Sequence, residues 1–133
     1  MPTPPPDERM LTELDFVRLQ RLLAQRPVPQ LATLLSDAEV VPARAIPADV
    51  ITMNSAFMVT DPETQQSQRL VLCYPQGADP RAGRISVLSP AGLGLIGLAA
   101  GALGRWSGPD GTSTQARIDT VLFQPEATGD YVT

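Results

Sequence analysis

A chain of 133 residues has room for one compact domain with a short appendage, and 43% hydrophobic against 18% charged residues is typical of a folded protein, despite 14 prolines. The net charge is -4 and all ten basic residues are scattered arginines, so the sequence lacks the basic stripe of a direct nucleic-acid binder. With no histidine and one cysteine, the composition excludes an internal disulfide, a structural zinc site and histidine-assisted nucleophilic catalysis.

The first ten residues, MPTPPPDERM, lack the basic start and apolar run of a signal peptide, so a cytoplasmic location is expected. Residues 1–11 are predicted to be a mobile tail, because prolines supply no backbone donors and little core. Thr12 has the position of a helix N-cap, with acidic residues in the first turn and leucines at helical spacing after it. A first helix is therefore expected from Thr12 to about Gln25.

A second helix is predicted after a break at two prolines that are one residue apart. Its apolar residues at i, i+3, i+4 and i+7 form a stripe that can face the first helix. We expect a short antiparallel helical hairpin over residues 12–48, a stunted coiled coil with about 14 residues per helix. The apolar stripe consists of Leu31, Leu34, Leu35 and Ala38. The predicted tip consists of Arg26, Pro27, Val28 and Pro29.

From Asp49 onward the apolar period changes from 3.6 to 2, which is typical of half-buried strands. Turn residues divide this region, and one helix is expected from Pro90 to about Ala99. Residues 49–133 are therefore predicted to form an α+β domain in the order βββαββ, with a mostly antiparallel sheet. The predicted strands cover residues 51–60, 69–74, 84–88, 103–107 and 115–123.

Residues 85–104 carry no charge over twenty positions, which is long enough for a membrane span. Ser89 and Pro90 argue against a span, because an N-cap followed by proline begins a new, shorter helix. Gly92, Gly94 and Gly97 match the GxGxxG spacing of dinucleotide sites, but the parallel βαβ context is missing. Close packing of a glycine-rich helix on its sheet is the favoured interpretation.

The remaining candidates for chemistry have simpler explanations. Cys73 lies in the middle of a predicted strand and is expected to be buried and unreactive. Trp106 is either a core residue or, less commonly, an interface anchor. Two close carboxylate pairs lie near turns or helix ends, where a solvated surface is the usual explanation. These pairs are Asp61 with Glu63 and Asp37 with Glu39.

Several short segments resemble a known bacterial family. The segments VITMNS, LCYP and FQPEATGDY at residues 50–55, 72–75 and 123–131 are similar to the Rnk family, the regulators of nucleoside diphosphate kinase. Residues 88–92, LSPAG, and residues 95–97, LIG, resemble a signature that Rnk proteins share with the C-terminal domains of GreA and GreB. The resemblance extends over residues 12–133 and is strongest from Asp49 onward.

The resemblance implies an FKBP-like domain without prolyl isomerase activity, a type of domain that in Gre factors binds RNA polymerase at its secondary channel. Carried onto this sequence, the contact would centre on the start of the predicted helix. We expect no cofactor, no metal and no catalytic residue, and an isomerase function rests on fold analogy alone. The implied contact residues are Ser89, Pro90, Ala91 and Gly92.

The sequence also departs from Gre factors, whose long coiled coil ends in an acidic tip that helps to hold a metal ion for RNA cleavage. The hairpin here is short, and its predicted tip has a cation and no carboxylate. Leu93 occupies the position at which Gre factors commonly have a basic residue. We therefore expect a regulator that binds polymerase without stimulating cleavage. The alternative is regulation of nucleoside diphosphate kinase through another protein contact.

Overall fold

The computed structural model of the chain describes residues 8–108 and 110–131. Two helices flanked by two short strands precede a five-stranded sheet that carries one short helix. The first region contains β1 (Met10–Thr12), α1 (Glu13–Gln25), α2 (Pro29–Asp37) and β2 (Glu39–Val41). The second contains β3 (Ala56–Thr60), β4 (Ser67–Cys73), β5 (Arg84–Ser86), α3 (Pro90–Leu95), β6 (Leu103–Ser107) and β7 (Ser113–Phe123).

Strand β1 corrects part of the predicted mobile tail. The Met10 amide donates to the carbonyl of Gly97 at 2.9 Å, and Leu11 is buried in the core. β1 also pairs in parallel with β2, so the chain is ordered before Thr12. Residues 1–7 of the predicted tail lie outside the described residues.

The helical hairpin forms, but α2 is shorter than predicted. Thr12 caps α1, since its hydroxyl accepts a hydrogen bond from the Asp15 amide at 3.1 Å. α1 has 13 residues, whereas α2 has nine, begins at Pro29 and ends at Asp37. Proline is favoured at the first helical position, because the amide it lacks would have no partner there. Pro29 therefore belongs to α2 and not to the loop at the tip.

The five-stranded sheet confirms the predicted α+β class and the order βββαββ. Its strand order is β5-β4-β3-β7-β6, and every pair except β4 with β5 is antiparallel. β7, the longest strand, pairs with β3 on one side and with β6 on the other. β5 and β6 are the two edge strands of the sheet, and α3 lies between them in the chain.

Two predicted boundaries in the sheet region are wrong by four or five residues, and the others differ by no more than two. The first strand begins at Ala56 and not at residue 51, because residues 52–55 form a turn in which Asn54 is left-handed, with φ 67°. α3 ends at Leu95 and not near Ala99, because Gly97 has φ 80°, a left-handed conformation that ends a helix. Residues 85–104 thus become β5, α3, a turn and the start of β6. No helix within the described ranges is long and apolar enough to cross a membrane.

The hairpin and the sheet share one hydrophobic core. Leu19 of α1 and Leu31 of α2 are fully buried in the same cluster as Phe57 of β3 and Ile118 of β7. The sequence boundary predicted at residue 48 therefore separates two regions that pack against each other. This packing fixes where α2 lies relative to α3.

Candidate functional site

Ser89 organises the start of α3. Its hydroxyl donates to the carbonyl of Ser86 at 2.6 Å and accepts from the Gly92 amide at 3.1 Å. Its own carbonyl accepts from the Leu93 amide at 2.9 Å. Pro90 has no amide hydrogen, and the amides of Gly92 and Leu93 are both bonded to Ser89. Ala91 therefore carries the one amide of the first turn that has no partner among the described residues. The predicted N-cap at Ser89 is thus confirmed, but it leaves few free donors for a partner.

The four predicted contact residues differ in their exposure. Pro90 is exposed, and Ser89 and Ala91 are half-buried. Gly92 is buried, and a Cβ placed on it would lie 2.1 Å from the carbonyl oxygen of Ser86. Gly92 therefore serves packing, and the surface available at this point is formed by the three residues before it.

A cleft of about 700 Å³ lies beside Pro90, between α2, α3 and β6. Its walls come from four segments of the chain, which are residues 8–9, 30–38, 88–94 and 105–107. The sequence did not predict this cleft, because the position of α2 beside α3 depends on the packing of the hairpin. The lining residues of α2 are Gln30, Thr33, Leu34 and Asp37, and those of the sheet region include Leu88, Pro90, Leu93, Arg105 and Trp106.

The cleft combines an apolar floor with a charged rim. Trp106 packs closely over α3, since a Cβ on Gly94 would lie 2.9 Å from its ring. Leu93 and Leu88 continue the apolar surface, which is joined to the core. The charges at the rim have both signs, and they are Glu8, Arg9, Asp37 and Arg105. An amphipathic segment of a protein fits such a surface better than a small polyanion does.

The hairpin tip lies outside this cleft. Arg26 and Pro27 are exposed between the two helices, and Val28 is half-buried. None of the four predicted tip residues lines the cleft. Within residues 8–108 and 110–131, no group of three or more potential metal ligands comes together. The predicted tip therefore takes no part in lining the cleft, although Gln30, the residue after Pro29, does.

A second polar site, which the sequence did not predict, lies where α1 meets the sheet. Asp15 is 1% exposed, and its Oδ2 accepts a hydrogen bond from the Met53 amide at 3.1 Å. Burial raises the pKa of Asp15 to about 6, and the nearby charge of Glu126 also raises it. The Met53 hydrogen bond and the charge of Arg18 act in the opposite direction. From the sequence alone, Asp15 was no more than an acidic residue of the first helical turn.

The loop of residues 52–55 is held from both sides. Thr52 donates from its hydroxyl to Glu126 Oε1 at 2.7 Å, and its amide donates to the Ser55 hydroxyl at 3.0 Å. Tyr74 lies close by, and burial raises the pKa of its hydroxyl to about 12. Asp15 from α1 and Glu126 from the turn after β7 therefore meet the same loop.

The other candidates have structural explanations. Cys73 is buried, its thiol is 3.4 Å from the carbonyl oxygen of Ile85, and burial raises the thiol pKa, as expected for an unreactive cysteine. Asp61 accepts from the Glu63 amide at 2.8 Å and so stabilises the turn after β3. Asp37 and Glu39 lie on different elements at the end of α2 and in β2. No chemistry needs to be assigned to these groups.

Comparison with known proteins places these features in a family. The model of the family "Transcription elongation factor, GreA/GreB, C-term" matches residues 46–122. The chain is 30% identical to the regulator of nucleoside diphosphate kinase of Escherichia coli K12, over 92% of this chain and 95% of that protein. It is 31% identical to the transcription elongation factor GreA of Clostridium botulinum strain Hall, over 77% of this chain and 64% of GreA. These relatives are named as regulators or elongation factors and not as enzymes.

Solved structures show the same likeness. A GreA/GreB elongation factor from Nitrosomonas europaea superimposes with a TM-score of 0.73 and 35% identity, over 87% of this chain and 98% of that one. GreA factor homolog 1 of Thermus thermophilus gives a TM-score of 0.51 with 18% identity, over 87% of this chain and 99% of that one. At that identity the second comparison shows similarity of fold alone.

Proposed function

The chain belongs to the family of the GreA/GreB C-terminal domain and resembles the regulators of nucleoside diphosphate kinase over most of its length, and from this membership we propose that it is a non-catalytic regulator of transcription. It binds RNA polymerase near the secondary channel through its sheet domain, and it does not stimulate RNA cleavage. The domain is FKBP-like without isomerase activity. The protein acts in the cytoplasm and makes no sequence-specific contact with nucleic acid.

The observation that carries this proposal is the exposed start of α3 beside the amphipathic cleft. Pro90 and the half-buried Ser89 and Ala91 form an accessible surface whose backbone is fixed by the cap hydrogen bonds. Trp106 in the adjoining cleft is the type of residue that anchors protein interfaces. Together they supply a preformed surface for a protein partner.

The hairpin supports the second half of the proposal, that cleavage is not stimulated. With 13 residues, α1 extends about 20 Å at the usual rise per residue. The loop at its end contains Arg26, Pro27 and Val28, which offer no carboxylate oxygen. A magnesium ion needs oxygen ligands, so this tip cannot deliver one to a distant active site.

Gel filtration of the protein with core RNA polymerase tests docking. We expect the wild-type protein to migrate with polymerase, and Pro90→Asp to weaken the interaction at least tenfold. Aspartate is tolerated in the first turn of a helix, so this variant alters the surface while leaving the fold intact. Gln20→Asp, an equal change of charge at an exposed site on α1, is the matched control. Failure of the wild-type protein to migrate with polymerase would contradict docking.

A cleavage assay with a backtracked transcription complex tests the proposal that the hairpin tip does not stimulate RNA cleavage. The protein should leave the rate of RNA cleavage unchanged and should slow cleavage that is stimulated by an added Gre factor, because the two would compete for one site. Faster cleavage with the protein alone would contradict the proposal. Pro90→Asp should lose the competition, whereas Gln20→Asp should retain it.

A second candidate function is regulation of nucleoside diphosphate kinase through direct contact or through its expression. The name of the E. coli relative, which aligns with 92% of this chain, favours it. A pull-down from lysate, read by mass spectrometry, separates the two candidates. Recovery of the kinase without polymerase subunits would favour the second, and recovery of polymerase subunits alone would favour the first.

A further inference from the structure

The contact between α1 and the loop of residues 52–55 contains a buried acid that none of the proposed functions uses. Asp15 is 1% exposed and bonds to the Met53 amide at 3.1 Å. The two residues are 38 positions apart in sequence, so the bond joins the hairpin to the sheet domain. When the hairpin lifts away from the sheet, this carboxyl group becomes solvated.

Three charged or titratable side chains face Asp15 from the elements packed around it. Glu126 comes from the turn after β7 and opposes the charge of Asp15, while Arg18 lies one helical turn further along α1 and favours that charge. Tyr74 comes from the segment after β4 and stays neutral, since its pKa is raised to about 12. Burial is the largest influence and opposes ionisation. The closed arrangement, in which the hairpin lies against the sheet, therefore binds the proton of Asp15 more tightly than the open arrangement, in which Asp15 is solvated.

We propose that the hairpin of α1 and α2 is attached to the sheet through a proton-controlled contact, which is firm when Asp15 is protonated and weaker when Asp15 is ionised. α2 forms one wall of the cleft beside Pro90. Loosening of the hairpin therefore opens the cleft, and protonation keeps it in the shape described above. The inference stands apart from docking on polymerase, because its test uses the protein alone.

The sign and size of the effect follow from proton linkage. The pKa of Asp15 is about 6 in the closed state and returns towards 3.8 when the group is solvated. The closed state therefore binds more protons between these two values, and raising the pH favours the open state. Between pH 5 and pH 7 the equilibrium for opening rises about tenfold, and above pH 7 it changes little more.

Native-state hydrogen exchange measures this opening even when the open state is rare. Protection factors of α1 amides, corrected for the intrinsic exchange rate at each pH, should fall about tenfold between pH 5 and pH 7. In Asp15→Asn, which keeps an oxygen to accept the Met53 hydrogen bond, protection should no longer change with pH. Asp37→Asn removes an exposed carboxylate of the same hairpin and should behave like wild type.

A second variant covers the case in which Asp15→Asn does not fold. Glu126→Gln retains an acceptor for Thr52 and removes the neighbouring negative charge, which lowers the pKa of Asp15 in the closed state. The loss of protection between pH 5 and pH 7 should therefore be smaller and should level off at a lower pH than in the wild-type protein. Unchanged protection between pH 5 and pH 7 in the wild-type protein would overturn the proposal. So would an equal pH response in Asp15→Asn, because another group would then be responsible.

Discussion

At Gly92 the fold leaves no room for a side chain. A Cβ would lie 2.1 Å from the Ser86 carbonyl oxygen and 2.9 Å from the Cα of Val87, and both of these atoms belong to the backbone. Backbone atoms cannot rotate away as the end of a long side chain can. The close approach of α3 to the segment after β5 therefore depends on glycine at this position.

Replacement of this glycine should be costly. We expect Gly92→Ala to lower the free energy of unfolding by about 3 kcal/mol, since α3 must move to relieve the overlap. Urea denaturation followed by the fluorescence of Trp106 measures the loss. Gly101→Ala is the control, because a Cβ there meets nothing within 4 Å and the cost of about 1 kcal/mol comes from its φ of +92° alone. Equal losses in the two variants would contradict the packing argument.

Single residues were predictable where their chemistry is local. Thr12 and Ser89 were both predicted as N-caps, and each bonds to an amide three residues later. The burial of Asp15 was not predictable, because it depends on Met53, 38 residues away, and on Glu126. Local patterns identify caps, whereas the environment of an ionisable group is decided by the tertiary fold.

At the scale of elements, a short polar turn overrides an alternating pattern. Residues 51–60 alternate in polarity as a strand would, yet the strand begins at Ala56. The Thr52 amide bonds to the Ser55 hydroxyl, and the Ser55 amide bonds to the Thr52 carbonyl. Side chains that bond to nearby backbone compete with strand pairing in this way. The turn so formed presents the Met53 amide to the hairpin.

The hairpin should derive its stability from the sheet and not from its own helices. Leu19 of α1 is 0% exposed within the shared core, whereas Val17 on the same helix is 42% exposed. We expect Leu19→Ala to cost about 3 kcal/mol of unfolding free energy and Val17→Ala less than about 0.5 kcal/mol. Thermal denaturation followed by circular dichroism measures both. A small loss for Leu19→Ala would mean that the hairpin is an independent arm.

At the scale of the whole molecule, the cleft is the feature that the sequence could not predict. The class, the element order and the family resemblance follow from local patterns and short motifs. The cleft instead joins Asp37 to Trp106, which are distant in sequence and meet because both helices share a core with the sheet. Periodicity shows which face of a helix is apolar, but it does not show which strand that face will cover.

One shared core also predicts how the molecule unfolds. Most of the helical residues belong to the hairpin, while Trp106 reports on β6 and on the wall of the cleft. If both parts depend on one core, loss of helical circular dichroism and change of Trp106 fluorescence should have the same midpoint in urea. The measurement belongs at pH 5, where protonated Asp15 favours the attached hairpin. Helix loss at a distinctly lower urea concentration would show that the hairpin unfolds separately, and that the cleft is lost before the sheet.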